Sequence, residues 1–292
     1  MKVLGFGDNV CDEYVHLHTM FPGGQALNFA VYAKMLGTDS AFMGVFGTDE
    51  IAQHVQDTLD EFGVDRSHCR QYEGENGHAR VTLVNGDRVF LGSNRGGVAK
   101  EHPIQLNEED LAYIRSFSHV HTTNNGYTDD QLPKLKPLGV TVSYDFSGRW
   151  TEEDRVARVA PYIDYAFLSC GSVGEDEAKA ICQKLYQAGC PQVIATRGSL
   201  GAVYYDGTQF LFCPPKLVKA VDTLGAGDSF ATAFLLAMTE AREKDPALCA
   251  GKIPRAVIEA ALQAGAEFSA KTCLVQGAFG HGKAVSEQYS EQ

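Results

Sequence analysis

This sequence of 292 residues has no Cys-x-x-Cys pair, no Lys/Arg-rich run, no low-complexity segment and no internal repeat. Its longest mainly apolar stretch, Phe230 to Met238, falls far short of the ~20 residues that a membrane span needs. The eight cysteines are scattered singly, which argues against a disulfide scaffold and predicts reduced core thiols of a cytoplasmic protein. A formal net charge of −12 without a basic cluster argues against nucleic acid or an anionic membrane as partner. It leaves a phosphate ligand open, because main-chain amides hold phosphate without basic side chains. No signal-peptide pattern precedes the strand-like start, Met1 to Gly7, so a cytoplasmic location is expected. The remaining composition, 44% hydrophobic and 21% charged, is that of a globular chain with one sizeable core.

Short apolar runs alternate with longer amphipathic segments from end to end. The pattern predicts strands at 2–7, 40–46, 118–122, 139–145, 164–168, 191–196 and 201–205. It predicts helices at 24–36, 49–62, 108–116, 152–159, 174–188, 227–239 and 254–272. Gly37, Gly63 and Gly189 stand as helix stops. Such alternation implies an α/β, doubly wound, mainly parallel sheet with helices on both faces. Residues 10–20 and 69–98 instead show period-2 alternation, and Asn85-Gly86-Asp87 carries a hairpin-turn signal. These stretches predict a small antiparallel sheet inserted as a lid over the ligand crevice of a single domain, 1–280. Residues 281–292 read as a polar tail.

Asp222-Thr223-Leu224-Gly225-Ala226-Gly227-Asp228 leads into an apolar helical stretch. Such a turn presents successive N–H groups at a helix N-terminus, where the macrodipole favours an anion. A carboxylate beside an anion site suits one task, accepting a proton from a hydroxyl that attacks phosphorus. Taken alone, Asp228 also fits a helix cap. Gly23, Gly24 and Asn28 open another helix with close backbone approach and an amide suited to a polyol, although a tight turn with a surface Asn reads the same way. Asp8, Asn9 and Asp12 follow the first strand, where open α/β sheets bind ligands. Thr196, Gly198 and Gly201 follow an apolar strand where a nucleotide could lie. Three patterns are decoys. Gly277 to Lys283 nearly spells a P-loop but has Ala284 in place of the magnesium-binding hydroxyl and no strand before it. Gly5-Phe6-Gly7 has Val10 where a dinucleotide fingerprint needs its third glycine. His16/His18 and His119/His121 each suit one strand face but have no third metal ligand at suggestive spacing, so half-buried histidines are expected.

Together these segments resemble the ribokinase-like sugar kinases of the PfkB family over about residues 1–280. Gly23-Gly24-x3-Asn28-x-Ala30-x6-Gly37-x9-Gly47 is similar to that family's N-terminal signature, and Asp222-Thr-x-Gly-Ala-Gly-Asp228-x-Phe230 to its C-terminal one. Thr196-x-Gly198-x-x-Gly201 is similar to its nucleotide segment. The resemblance implies ATP-dependent phosphorylation of a sugar. Asp228 would be the general base, and Gly225, Ala226 and Gly227 the anion hole. Asp8, Asp12, Gly23, Gly24 and Asn28 would hold the sugar, while Thr196, Gly198, Gly201 and Gly227, with the helix near 261–268, would line the ATP site. Magnesium would bridge the ATP phosphates mostly through water, with Glu177 as a water-mediated ligand and Asp222 near a monovalent cation. The family's Asn-x-x-Glu element lacks its Asn here, and Asp145-x-Ser147-x-Arg149 has Ser where the family has Asn. Within the family, segments such as Gly7-Asp8-Asn9 and Asp145-Phe146-Ser147 resemble the subgroup that phosphorylates the 6-hydroxyl of fructosamines such as fructoselysine. Kinases of free fructose, ribose or a nucleoside are alternatives, as is a non-catalytic sugar sensor on the same scaffold. Homodimerisation through the lid sheet is a further implication.

Overall fold

The computed structural model describes residues 1–84, 87–249 and 253–285. In chain order its first half comprises β1 (Lys2–Gly7), β2 (Val10–Tyr14), β3 (Thr19–Gly23), α1 (Gln25–Met35), β4 (Asp39–Phe46), α2 (Glu50–Phe62), β5 (Arg70–Gln71), β6 (His78–Val84), β7 (Asp87–Ser93), α3 (Val98–Glu101), α4 (Glu108–Ile114) and β8 (His119–Thr123). The second half comprises α5 (Leu132–Leu135), β9 (Thr141–Asp145), α6 (Glu153–Val159), β10 (Tyr165–Ser169), α7 (Glu175–Gln187), β11 (Gln192–Thr196), β12 (Ala202–Tyr205), β13 (Phe210–Cys213), α8 (Ala226–Lys244), α9 (Arg255–Thr272) and β14 (Lys283–Ala284).

Nine strands form the larger sheet in the order β13-β12-β11-β10-β9-β8-β1-β4-β5. From β11 to β5 every pairing is parallel, whereas β12 and β13 close that edge as antiparallel strands. Alternation along each strand loads both faces. Val3, Tyr165, Phe167 and Ile194 pack with Phe29 of α1, Phe234 of α8 and Leu262 of α9. Leu4, Phe6, Val142 and Val193 pack on the other face with Ile114, Leu132, Val156 and Ile181 from α4 to α7. Gly5 lies directly beneath α1, where a Cβ would strike the Ala26 carbonyl, so Gly5-Phe6-Gly7 serves helix–strand packing.

The smaller sheet has the order β14-β3-β2-β6-β7. It departs from the expectation in three ways. β2 and β6 run parallel, so the sheet is mixed and not purely antiparallel, because the chain passes through the larger sheet between them. Arg70 and Gln71 extend the larger sheet beside β4 and do not join the smaller one. Lys283 and Ala284, expected in a polar tail, pair with β3. The turn signal at 85–86 and the tail at 286–292 lie outside the described residues. His16 sits in a short 3-10 turn and His18 in a left-handed conformation, both exposed, so these two do not share a strand face. Among the described residues no helix is long and apolar enough to cross a membrane.

His119 and His121 do share a face of β8, fully buried, and both hydrogen-bond Ser143 Oγ at 2.7 Å. Burial holds His121 down to about 3 and pushes His119 well below the usual imidazole range, with His121 adding to the effect. Unfolded, each imidazole takes up a proton as pH falls through about 6.5, and folded it does not until far lower pH. Acid therefore favours the unfolded chain below pH 6.5, by about 1.4 kcal/mol per pH unit for each histidine. Replacing one of them, as in His121→Asn, should make the fall of stability between pH 6 and pH 4 shallower by about that slope in urea unfolding.

Candidate functional site

Ligands of open α/β sheets bind beyond the carboxyl ends of the strands, and here two helix N-termini, those of α1 and α8, meet over that edge. Gly225 precedes α8 with φ 71°, a left-handed conformation that glycine adopts without strain. A Cβ at Gly225 would also collide with Tyr32 Oη, which donates to the Ala278 carbonyl. The Ala226 N–H makes a long bond to the Thr223 carbonyl at 3.3 Å. The next amides, Gly227 and Asp228, lie in the first helical turn, where an N–H has no intrahelical acceptor. Gly227 is exposed and Asp228 half-buried.

Asn28, four residues into α1, donates Nδ2–H to Asp228 Oδ2 at 2.6 Å. The amide is buried, and its Oδ1 has no hydrogen-bond partner among the described residues. Gly23 faces the same space. A Cβ there would lie 3.2 Å from Asp12 Oδ2 and 3.8 Å from Asn28 Oδ1. Asp12, Gly23, Asn28 and Asp228 thus border one polar recess with an orphaned acceptor. Gly24 is the N-cap of α1 and offers no side chain, so a carboxylate from elsewhere caps the helix. Asp8 does so, accepting from the N–H groups of Gln25 at 2.8 Å and Ala26 at 3.3 Å, and from Thr123 Oγ1 at 2.7 Å. Burial raises the Asp8 carboxyl, and these hydrogen bonds oppose the rise.

Alternation along β2 separates the acidic residues. Asp12 and Tyr14 face one side of the smaller sheet. Cys11 and Glu13 face the other, where they line a separate cavity of about 300 Å3 with Glu75, His78 and Arg80. Glu13 pairs there with Arg80 at 3.1 Å. Tyr14 reaches across to the turn before α8, its hydroxyl donating to Asp222 Oδ2 at 2.5 Å. Asp222 also accepts from the N–H groups of Leu224 and Gly277, each at 3.0 Å. Leu224 packs on Tyr14, Phe21 and Val81 of the smaller sheet.

On the other side of α8 a cavity of about 310 Å3 brings together Thr196, Gly198, Gly201 and Gly227 with Ala266 and Ser269 of α9. Thr196 at the end of β11, Gly198, Gly201 and the α9 segment therefore share one chamber, and Gly227 forms its wall towards Asp228. Glu177 lies outside this chamber, exposed in the first turn of α7. Arg149 is exposed and paired with Glu152. Among the described residues no group of three or more His, Cys, Asp or Glu could hold a metal ion.

The site also contains Asp145 and Ser147, from the segment with Ser where the family has Asn, together with Gln25. Asp145 ends β9, is 6% exposed, and accepts the Ser147 N–H at 2.6 Å. Burial and then the charge of Asp228 push it up to about 7. Gln25 donates to Ser147 Oγ at 3.0 Å and accepts from Asn125 at 3.2 Å. The Asp145-x-Ser147-x-Arg149 spacing at the end of a strand was the available signal.

Comparison with known proteins adds an independent finding. The family described as pfkB family carbohydrate kinase matches residues 3–280. Fructosamine kinase FrlD of Bacillus subtilis (strain 168) is 39% identical over 283 residues, covering 97% of this chain and 94% of its own. Fructoselysine 6-kinase of Escherichia coli (strain K12) is 35% identical over 237 residues, covering 80% and 88%. The structure of Arabidopsis thaliana ribokinase complexed with ribose and ATP superposes with a TM-score of 0.77 at 21% identity, over 95% of this chain and 94% of that one.

The clash at Gly225 gives a direct test of how tightly the turn is built. Gly225→Ala should cost ~1–3 kcal/mol of stability, through the left-handed φ and the overpacking of Tyr32. Adding Tyr32→Phe, which removes the colliding oxygen, should recover part of that loss in thermal or urea unfolding.

Proposed function

The chain belongs to the pfkB family of carbohydrate kinases, and from that premise we propose that it transfers the γ-phosphoryl group of ATP to the 6-hydroxyl of a fructosamine such as fructoselysine. It is a phosphotransferase with an alcohol group as acceptor. The likeness to two relatives named for fructosamines supports the choice of acceptor. The observation that carries the mechanism is the position of Asp228, bonded to Asn28 on the sugar side and adjacent to Gly227, which walls the nucleotide chamber.

In this reading the sugar occupies the recess bordered by Asp12, Gly23 and Asn28, and the orphaned Asn28 Oδ1 accepts from one of its hydroxyls. Asp228 takes the proton of the 6-hydroxyl as its oxygen forms a bond to the γ-phosphorus. The bond from that phosphorus to the bridging oxygen breaks, and ADP leaves. The first-turn amides at Gly227 and Asp228, with the turn at Gly225 and Ala226, stabilise the charge on the transferring group without reorganising. Asp8 acts by fixing the start of α1, and hence Asn28. Thr196, Gly198 and Gly201 line the nucleotide. Magnesium supplies charge neutralisation on the ATP phosphates when bound, and the exposed carboxylate of Glu177 is free to hold one of its waters. Asp222 already receives three hydrogen bonds, so its part in a cation site would be limited to what those leave. The smaller sheet covers the sugar. Its edge strand β7 exposes Val89 at 40%, Phe90 at 62% and Leu91 at 54%, which supports a homodimer through that edge.

Asp228→Asn should fold and bind sugar while losing ~10²–10⁴-fold in kcat. The measurement is ADP release with magnesium-ATP across fructoselysine, psicoselysine, fructose, ribose and adenosine. Turnover at the wild-type rate in the variant excludes the role, and a preference for adenosine or free ribose excludes the acceptor.

The fructosamine carries a cationic amine, and Asp12 is the acidic residue of β2 that faces the recess. Asp12→Asn should lower kcat/KM for fructoselysine about tenfold more than for fructose, by the scale of a charge-assisted hydrogen bond. Glu13→Gln, on the reverse face, should leave the ratio of the two substrates unchanged. The opposite pattern would move the amine to the other cavity.

A further inference from the structure

Asp145 stands in the crevice without a part in the scheme above. Its strand is the middle one of the row β11-β10-β9-β8-β1. The carboxyl end of β9 therefore lies midway between the nucleotide chamber, at β11 and β12, and the sugar side, at β1. Held there by Ser147, whose own φ of 49° is left-handed, the side chain is aimed by a relay of Asn125, Gln25 and Ser147.

The charges around it decide its state. Asp228 of α8 and Asp8 beyond β1 are the carboxylates that act on it. The arginines of the adjoining segment are engaged elsewhere, Arg149 with Glu152, and Arg155 with Glu152 and Asp129. Asp8 has three donors, and Asp228 has the Asn28 amide and the positive end of α8. Asp145 has the Ser147 N–H and, more weakly, the Gln25 side chain. Three carboxyls so grouped do not all ionise, and the least supported one keeps its proton.

We propose that Asp145 works as a neutral acid whose O–H donates a hydrogen bond to a non-bridging oxygen of the phosphoryl group in transit. The proposal rests on the kinase reading given above. The proton lost by the sugar hydroxyl goes to Asp228, while Asp145 keeps its own throughout, so nothing is consumed. Its hydrogen bond strengthens as charge gathers on the phosphoryl oxygens. An ionised Asp145 has the reverse effect, since the donor disappears and a negative charge faces the transferring group. The rate should therefore fall as pH rises through about 7.

The test compares kcat for fructoselysine from pH 5.5 to pH 9 in wild type, Asp145→Asn and Asp145→Ala. The amide is a donor that does not titrate in this range. Asp145→Asn should cost less than about tenfold at pH 6 and should lose the alkaline fall, whereas Asp145→Ala should cost about 10²-fold at every pH without a matching rise in KM. An alkaline fall that persists in Asp145→Asn, or an Asp145→Asn as inert as Asp228→Asn, overturns the proposal. Infrared difference spectra of the substrate-free enzyme, wild type minus Asp145→Asn, provide a second readout. A protonated-carboxyl band at pH 6 that vanishes by pH 8.5 is expected, and its absence overturns the proposal even if Asp145→Ala does not fold. Failure of the wild type to release ADP with any acceptor would instead overturn the kinase-substrate reading, and the infrared result would stand apart from it.

Discussion

The hydrogen bond from Asn28 to Asp228 is the contact on which the arrangement of this molecule turns. It joins the first turn of α1 to the first turn of α8, two helices that lie on one face of the larger sheet and share a core with α9. It also holds a carboxylate at the N-terminus of α8, where the proposed reaction brings a phosphate. Acids are costly to hold in such a place. The fold offsets the cost with main-chain donors, using Asp8 to cap α1 and the left-handed Gly225 to aim the amides of α8. Even so, burial and then the charge of Asp228 push the Asp145 carboxyl up to about 7.

Much of this was legible in the sequence because local chemistry and global fold agree. The strands at 2–7 and 141–145 and the helices over 50–62 and 175–187 announce themselves through apolar periodicity and glycine stops. Gly225 to Asp228 and Gly23 to Asn28 were legible for a different reason, since the backbone conformations they need restrict the residue types that can occupy them. Asp145 was less so. Its spacing to Ser147 and Arg149 marks the place, but its character comes from burial and from two charges far away in the chain. Helix capping by Asp8 was hidden in the same way, since the capped helix begins 17 residues later. The four-residue strand β13 depends on pairing with β12 and carries no periodicity of its own. The parallel pairing of β2 with β6 escaped for the same reason, as strand direction is set by the route of the chain and not by alternation.

The two faces of the smaller sheet show how a one-residue step divides labour. Along β2, Asp12 and Tyr14 turn to the recess and to the turn before α8, while Cys11 and Glu13 line a chamber behind. The thiol of Cys11 is buried and pushed well above its ordinary range, so it behaves as an apolar filler. Cys69, Cys170, Cys182 and Cys190 are raised by burial as well, which fits the scattered spacing of these residues.

Tyr14 and Asp222 have a mechanical corollary. Their bond spans 208 positions of chain and ties the smaller sheet to the turn before α8. A hydrogen bond of this kind is lost once its atoms separate by about one ångström beyond contact. The smaller sheet therefore cannot move away from α8 without either releasing Asp222 or drawing the turn along with it. In the proposed reaction, a movement that opens the sugar side would thus be felt at the amides that meet the phosphoryl group.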